Sequence, residues 1–215
     1  DPRELGELRG AVSRGSDLSS LGDRNSPTLM YASAMPVFHF ARDGAPVGGM
    51  FHDGRVATLE DQAGIPLLDP AEMAMPDKVS VVGRLKENPS YVRAFESLVG
   101  AGVLEETDKG FQAMSMAIAA FQRQGTFAPF DSRYDRSLRG KAEFTALETR
   151  GRDLFFATGG CAVCHSSGID DRQTFSNGRY YNLGVPANPT VRALNGSDGE
   201  MHAGHLLVEV HEDVV

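Results

Sequence analysis

Gly160-Cys161-Ala162-Val163-Cys164-His165 separates two thiols by two residues and puts an imidazole directly after the second. That spacing is the attachment signature of a c-type haem. Each thiol can add across one vinyl group of the macrocycle, and the adjacent imidazole is then held beneath the iron as its proximal ligand. A histidine-ligated iron with an open opposite face supports peroxide chemistry, whereas a second ligand on that face favours electron transfer. Three other readings compete. A thioredoxin-like dithiol calls for a βαβ setting, and the flanks here are patterned as helix. A zinc site could be assembled from Cys161, Cys164, His202 and His205, although the second pair is far away in sequence. A disulfide across two residues would be strained and leaves His165 unexplained. Haem attachment is the reading that employs all three side chains.

The elements that must position this motif lie mostly upstream. Residues 142–156 read as a helix with Phe144, Leu147, Leu154 and Phe155 on one stripe, delivering the chain through Gly159-Gly160 into the cysteines. Residues 126–140, containing Pro129, read as a linker. Before it, Phe111, Met114, Ile118 and Phe121 fall at helical spacing over 109–124, with the methionines expected as core filler rather than ligands. Asn88-Pro89 caps a helix that carries Tyr91, Phe95 and Leu98 on one face and ends at Gly100. Pro76 sits at the expected first position of a helix holding Val79, Val82 and Leu85. A shorter helical pattern through Leu59 and Gln62 is expected to stop at Pro66. Asp43-Gly44 is a strong turn dipeptide between Val37-Phe38-His39-Phe40 and Met50-Phe51, which predicts a hairpin. Residues 1–23 read as loop, and after His165 the chain is rich in Gly, Asn, Pro and Ser, as in a loop wrapped around a cofactor.

Composition bounds the rest. At 215 residues there is material for one large domain or two small ones, and no run approaches the roughly 18 apolar residues of a membrane span. A formal charge of −8 argues against nucleic acid as a partner and suits a basic or neutral redox protein. Both cysteines are consumed by the haem. Because c-type haem is normally attached outside the cytoplasm, a processed or trimmed periplasmic chain is expected.

In their order and spacing, these landmarks resemble the bacterial di-haem cytochrome c peroxidase family, MauG-like enzymes included. The matching residues are Arg24-Asn25-Ser26-Pro27-Thr28, Asp53-Gly54-Arg55 with Leu59 and Gln62, and Pro70-Ala71-Glu72-Met73. They continue through Ala117-Ile118-Ala119-Ala120-Phe121, Phe130-Asp131, Leu138-Arg139-Gly140, Glu148, Gly151, Leu154 and Phe155. After the Cys161–His165 motif come Pro189-Thr190-Val191-Arg192 and Met201-His202-Ala203-Gly204. The resemblance implies a mostly α fold of two cytochrome-c-like helical domains with long loops and a small β-hairpin. Residues 1–125 would be the peroxidatic domain and 126–215 the electron-transfer domain. It also implies two c-type haems and a calcium ion near the domain interface. The family's first CxxCH would fall just before Asp1, and an axial Met or Tyr just beyond Val215. The chain therefore reads as a member cut at both ends, with a genuine mono-haem relative as the alternative.

Roles carry over residue by residue. Glu72 matches the family's acid–base glutamate on the peroxide side of the N-terminal haem, where one carboxylate can move a proton between the two peroxide oxygens. Gln62 matches the pocket glutamine. Asn25 matches a calcium ligand, with backbone carbonyls near Ser197 and Gly199 completing the set. His202 matches a histidine close to the second haem. Two departures stand out. His52 occupies the position before Asp-Gly-Arg at which the family places a tryptophan between its haems, and this chain has no tryptophan. Residues 14–23 also lack the histidine that blocks the peroxidatic iron in many members, which implies an iron open in the oxidised state. The resemblance implies reduction of hydrogen peroxide with electrons from a small cytochrome or copper protein, in an enzyme that is often a homodimer. A MauG-like oxidase modifying a partner protein, or a plain electron-transfer cytochrome, are the alternatives.

Overall fold

A computed structural model describes residues 12–166, 172–181 and Val191. Two helices set its frame: α1, Leu59–Leu68, packs along α4, Thr107–Gln122. They approach closely because Gly64 leaves room for the Phe111 ring. A methyl group at that position would come within 2.7 Å of it. The seam is completed by Leu59, Met50 and Ala119, all buried. Helix α1 starts where Thr58 accepts the Asp61 N–H at 3.1 Å, with Glu60 and Asp61 in the first turn, where the helix dipole favours acids.

Pro66 does not stop α1 as expected. It sits in the last turn, where the one hydrogen bond it removes is the bond to the Gln62 carbonyl, and the helix runs on to Leu68.

Helix α2, Lys78–Lys86, packs against α4, and α3, Pro89–Leu98, packs against α2. Asp77 caps α2, so the helix begins two residues after Pro76 rather than on it, and Asn88 caps α3 as expected. Val82, Val103, Leu104 and Ala113 form the core here, with Val92, Phe95 and Phe111 against it. Of the stripe expected on α3, only Phe95 is packed inward; Tyr91 and Leu98 are exposed. Met114 is core filler, but Met116 and Phe121 on the same helix are exposed.

The expected linker contains a helix, α5, Arg133–Leu138, nucleated by a capping box in which Ser132 and Asp135 satisfy each other's backbone N–H groups. Helix α6, Ala146–Asp153, begins with a second capping box, Thr145 and Glu148, and Phe144 therefore lies ahead of it. From Leu154 to Thr158 the helix widens into a π turn, a departure from the regular helix expected through Phe156.

The hairpin forms, but with a different partner strand. β1, His39–Phe40, pairs antiparallel with β2, Pro46–Val47, and Met50 instead bridges to Val56. Residues 172–181 then extend this small sheet from far along the chain. Val47 bridges to Arg179, Gly48 N–H donates to Gly178 O at 2.8 Å, and Tyr180 Oη donates to Gly48 O at 2.7 Å. The haem-motif half of the sequence is thereby fastened to the half carrying α1.

Candidate active site

Three stretches converge on a cavity of about 860 Å³: residues 13–27, residues 51–55, and the end of α1 with the loop after it. That volume is in the range of small-molecule and cofactor sites, about 300–1,000 Å³. Gln62, Glu72, Asn25 and His52 all line it. The structure thus brings together four residues that the sequence holds up to 47 positions apart.

Glu72 is held by its backbone. The chain leaving α1 folds back over the helix end, where Met73 N–H and Met75 N–H donate to the carbonyls of Pro66 and Leu67 at 3.1 and 2.9 Å. These bonds satisfy acceptors that a helix C-terminus leaves open. Within the loop, Asp69 Oδ1 accepts the Ala71 N–H at 2.8 Å, and the Asp69 carbonyl accepts the N–H groups of Glu72 and Ala74 at 3.0 and 2.9 Å. From across the cavity, Ser16 donates its N–H to the Glu72 carbonyl at 2.6 Å and its hydroxyl to the Met73 carbonyl at 3.0 Å. The Ser16 turn is itself fixed by Asp17, whose carboxylate accepts from Ser19 N, Ser20 N and Ser20 Oγ. The half-buried Glu72 carboxyl is pushed above the usual glutamate range, first by burial and then by the Asp69 charge, with Arg55 acting the other way.

Beside it stands a buried carboxylate that the sequence reading gave no role. Asp53 accepts from Arg24 Nη1 at 2.5 Å, and from Arg55 Nη1 at 2.8 Å and Arg55 N–H at 3.1 Å. Burial works most strongly against its charge, yet Arg55 and Arg24 together hold it below the usual aspartate range. The Arg55 guanidinium also lies over the Phe51 ring, 3.8 Å from its centre. Tyr180 packs onto Gly54 from behind, and burial with the nearby Asp53 charge pushes its hydroxyl up to about 12. His52 is exposed at the cavity edge and donates Nε2–H to the Asn25 carbonyl at 2.8 Å, joining the position expected for tryptophan to the one expected for calcium.

The cysteines form a second region. Gly160, in the left-handed conformation at φ 67°, opens a tight turn over Cys161–Val163, and His165 N–H donates to Cys161 O at 2.9 Å. The two thiols are not joined to each other. Nδ1 of His165 is 3.2 Å from the Phe175 carbonyl. A protonated Nδ1 donating there leaves Nε2 as the free lone pair, the arrangement that suits a metal-ligating imidazole. Around the motif, Phe155, Phe156, Phe175 and Tyr134 make a connected set of ring contacts, while Leu154 and Val163 are exposed. Two free thiols, an oriented imidazole and an aromatic surround fit a covalently attached haem. His202, Ser197 and Gly199 lie outside the described residues. Among the described residues no cluster of three or more His, Cys, Asp or Glu side chains could hold a metal ion, and no helix is long and apolar enough to cross a membrane.

Arg24, Asp53, Arg55 and Asp69 were missed as functional residues although three of them stood inside quoted motifs. The available signals were the Asp-Gly-Arg triplet and the three-residue spacing of Asp69 and Glu72.

The family profile for di-haem cytochrome c peroxidase matches residues 2–143. The chain is 47% identical over 211 residues to methylamine utilization protein MauG of Paracoccus denitrificans, covering 97% of this chain and 54% of that protein. It is 34% identical over 126 residues to the cytochrome c peroxidase Ccp of Escherichia coli, across 58% of this chain and 25% of that one. Among solved structures, the diheme peroxidase BthA of Burkholderia thailandensis superposes with a TM-score of 0.79 at 30% identity, over 94% of this chain and 49% of that one. The chain therefore spans about half the length of the MauG and BthA proteins it matches.

Proposed function

The chain belongs to the di-haem cytochrome c peroxidase family, and from that premise we propose that its protein reduces hydrogen peroxide to water at the cavity holding Glu72 and Gln62. Cys161, Cys164 and His165 would hold one haem, which would supply the entry point for electrons from a small cytochrome or copper protein in the periplasm. A haem at the cavity would supply the redox chemistry that reduces peroxide by two electrons. The protein supplies the proton handling. Glu72 takes a proton from one peroxide oxygen and returns it to the other, which leaves as water. Gln62 offers an amide to hydrogen-bond the bound peroxide. Arg55, held by Asp53, keeps a positive charge beside the developing negative one. Asn25, with Ser197 and Gly199, provides oxygen donors for a calcium ion.

The observation that carries this reading is the position of Glu72: a half-buried carboxyl, raised in proton affinity, on the wall shared with Gln62. An electron carrier has no need of such a group. Glu72→Gln should lower peroxide-dependent oxidation of a reduced cytochrome by about 10²-fold or more while leaving the visible haem spectrum in place. Undiminished turnover would remove the acid–base assignment.

A second reading is a MauG-like enzyme that uses peroxide to modify a partner protein. It is favoured by the 47% identity across 97% of this chain. The loop lacking a blocking histidine, residues 14–23, also suits it, pinned as it is to the Glu72 loop through Ser16. A peroxide-dependent mass change in a co-purified protein, without consumption of a small donor, would select this reading over the first.

A further inference from the structure

Helix α1 ends in a way that simple electrostatics disfavours. Its C-terminus carries the negative end of the helix dipole, where Lys, Arg or His stabilise and carboxylates destabilise. The last turn of α1 has no basic residue, and its C-cap is Asp69. Three residues on stands a second carboxyl, Glu72, on the same cavity wall. Two acids at the negative end of one helix are a local violation of a general rule. Such violations are expected where function demands them.

The hydrogen bonds show what the arrangement does. Asp69 is the hub of the loop, taking Ala71 N–H on its side chain and the N–H groups of Glu72 and Ala74 on its carbonyl. We propose that Asp69 is the positioning residue for Glu72, acting through two separable parts: a turn that presents the Glu72 carboxyl to the cavity, and a second carboxyl group set three residues away on the same wall. This rests on the acid–base reading of Glu72.

The groups facing Glu72 can be enumerated. From its own loop there is Asp69; from the first stretch Arg14, Asp23 and Arg24; from the second His52, Asp53 and Arg55. Arg14 is turned to the Leu18 carbonyl at 2.8 Å, and Arg24 is spent on Asp53. Arg55 is the cation that acts on Glu72, and it is shared with Asp53. Asp69 is therefore opposed by a guanidinium already partly neutralised. Burial and Asp69 together prevail over Arg55, and Glu72 lies above the usual glutamate range. A carboxylate of raised proton affinity takes a proton from peroxide more readily than an ordinary one, and can return it within the same turnover.

The two parts come apart by substitution. Asp69→Asn keeps the oxygen that accepts Ala71 N–H and removes the charge. Asp69→Ala removes both. The readout is the protonated-carboxyl C=O band of Glu72 in the infrared spectrum of the haem-loaded protein, assigned by its loss in Glu72→Gln and followed against pH. The midpoint should move to lower pH in Asp69→Asn, with the band as narrow as in the parent protein. In Asp69→Ala the band should also broaden towards that of a solvated carboxyl. The acid-side limb of the pH profile for peroxide turnover should move down with the midpoint in Asp69→Asn. An unchanged midpoint in Asp69→Asn overturns the proposal even if Glu72→Gln is inactive. Conversely, full turnover by Glu72→Gln defeats the acid–base reading and leaves the midpoint measurement standing on its own. Thermal unfolding of each variant checks that α1 remains folded.

Discussion

The cavity and the cysteine motif are built by opposite means. Around Glu72, polar groups answer one another across three chain segments: Ser16 to Glu72 and Met73, Asp69 to its own loop, Asp53 to two arginines. Around Cys161 the side-chain contacts are mostly between rings, and the polar bonds beyond local turns come from one stretch, where Asn177 donates to the Cys164 and Val163 carbonyls. A polar wall of charged groups suits proton transfer, and an aromatic surround with two thiols and one oriented imidazole suits a macrocycle. On the function proposed above, the chain keeps proton traffic and electron entry in separate environments.

The sharpest break in that contrast is covalent. Replacing Cys161 and Cys164 by Ala should remove one of the family's two covalently held haems, about halving the haem stain after denaturing electrophoresis. The infrared band of Glu72 should survive if the cavity is built independently. Next in size is Asp53→Ala. It strips two guanidiniums of a buried partner, and since both are about a third exposed the low end of buried-pair costs applies, about 2–3 kcal/mol. Urea unfolding measures it. The pH dependence has a definite sign. The folded Asp53 carboxyl lies below its unfolded value, so its contribution is complete above about pH 3.9 and drains away as pH falls through the folded value. Asp53→Ala should lack that part of the acid loss. Smallest is Thr145→Ala at the start of α6, where losing half a capping box should cost about 1 kcal/mol. This loss should leave the cavity's pH behaviour untouched.

How much of this was readable beforehand depended on whether a partner lay nearby in sequence. The Cys161–His165 motif was legible because covalent attachment dictates its spacing, and Asn88-Pro89 was legible because a cap is a local device. The mostly α fold with one hairpin agrees with the structure, and the family resemblance with the comparisons. Pro66 misled because a proline in a last turn forfeits a single bond, which the reading took for a full stop. The second strand was misplaced because Asp43-Gly44 marks a turn without fixing which residues return: Pro46 and Val47 pair, and Met50 goes to Val56. The α3 stripe failed at Tyr91 and Leu98 because helical spacing defines a face but does not supply something to bury it. The Asp53–Arg24 and Tyr180–Gly48 pairs were silent, since those partners are reached only once the chain has folded, whereas Asp69 stood three residues from Glu72. Periodicity carries no trace of such pairings.

The fastening of residues 172–181 onto the hairpin has a consequence for the order of events as the chain matures. Tyr180 reaches Gly48 across 132 positions, and Arg179 reaches Asp43 across 136. Contacts of such separation carry a large loop-closure cost and are late to form. The hairpin can fold early as a local unit, but a two-residue pairing is marginal alone. Its final clasp therefore waits for the segment that follows the cysteines. Assembly would end with residues 172–181 closing on the hairpin, after the short-range bonds of the Glu72 loop have formed.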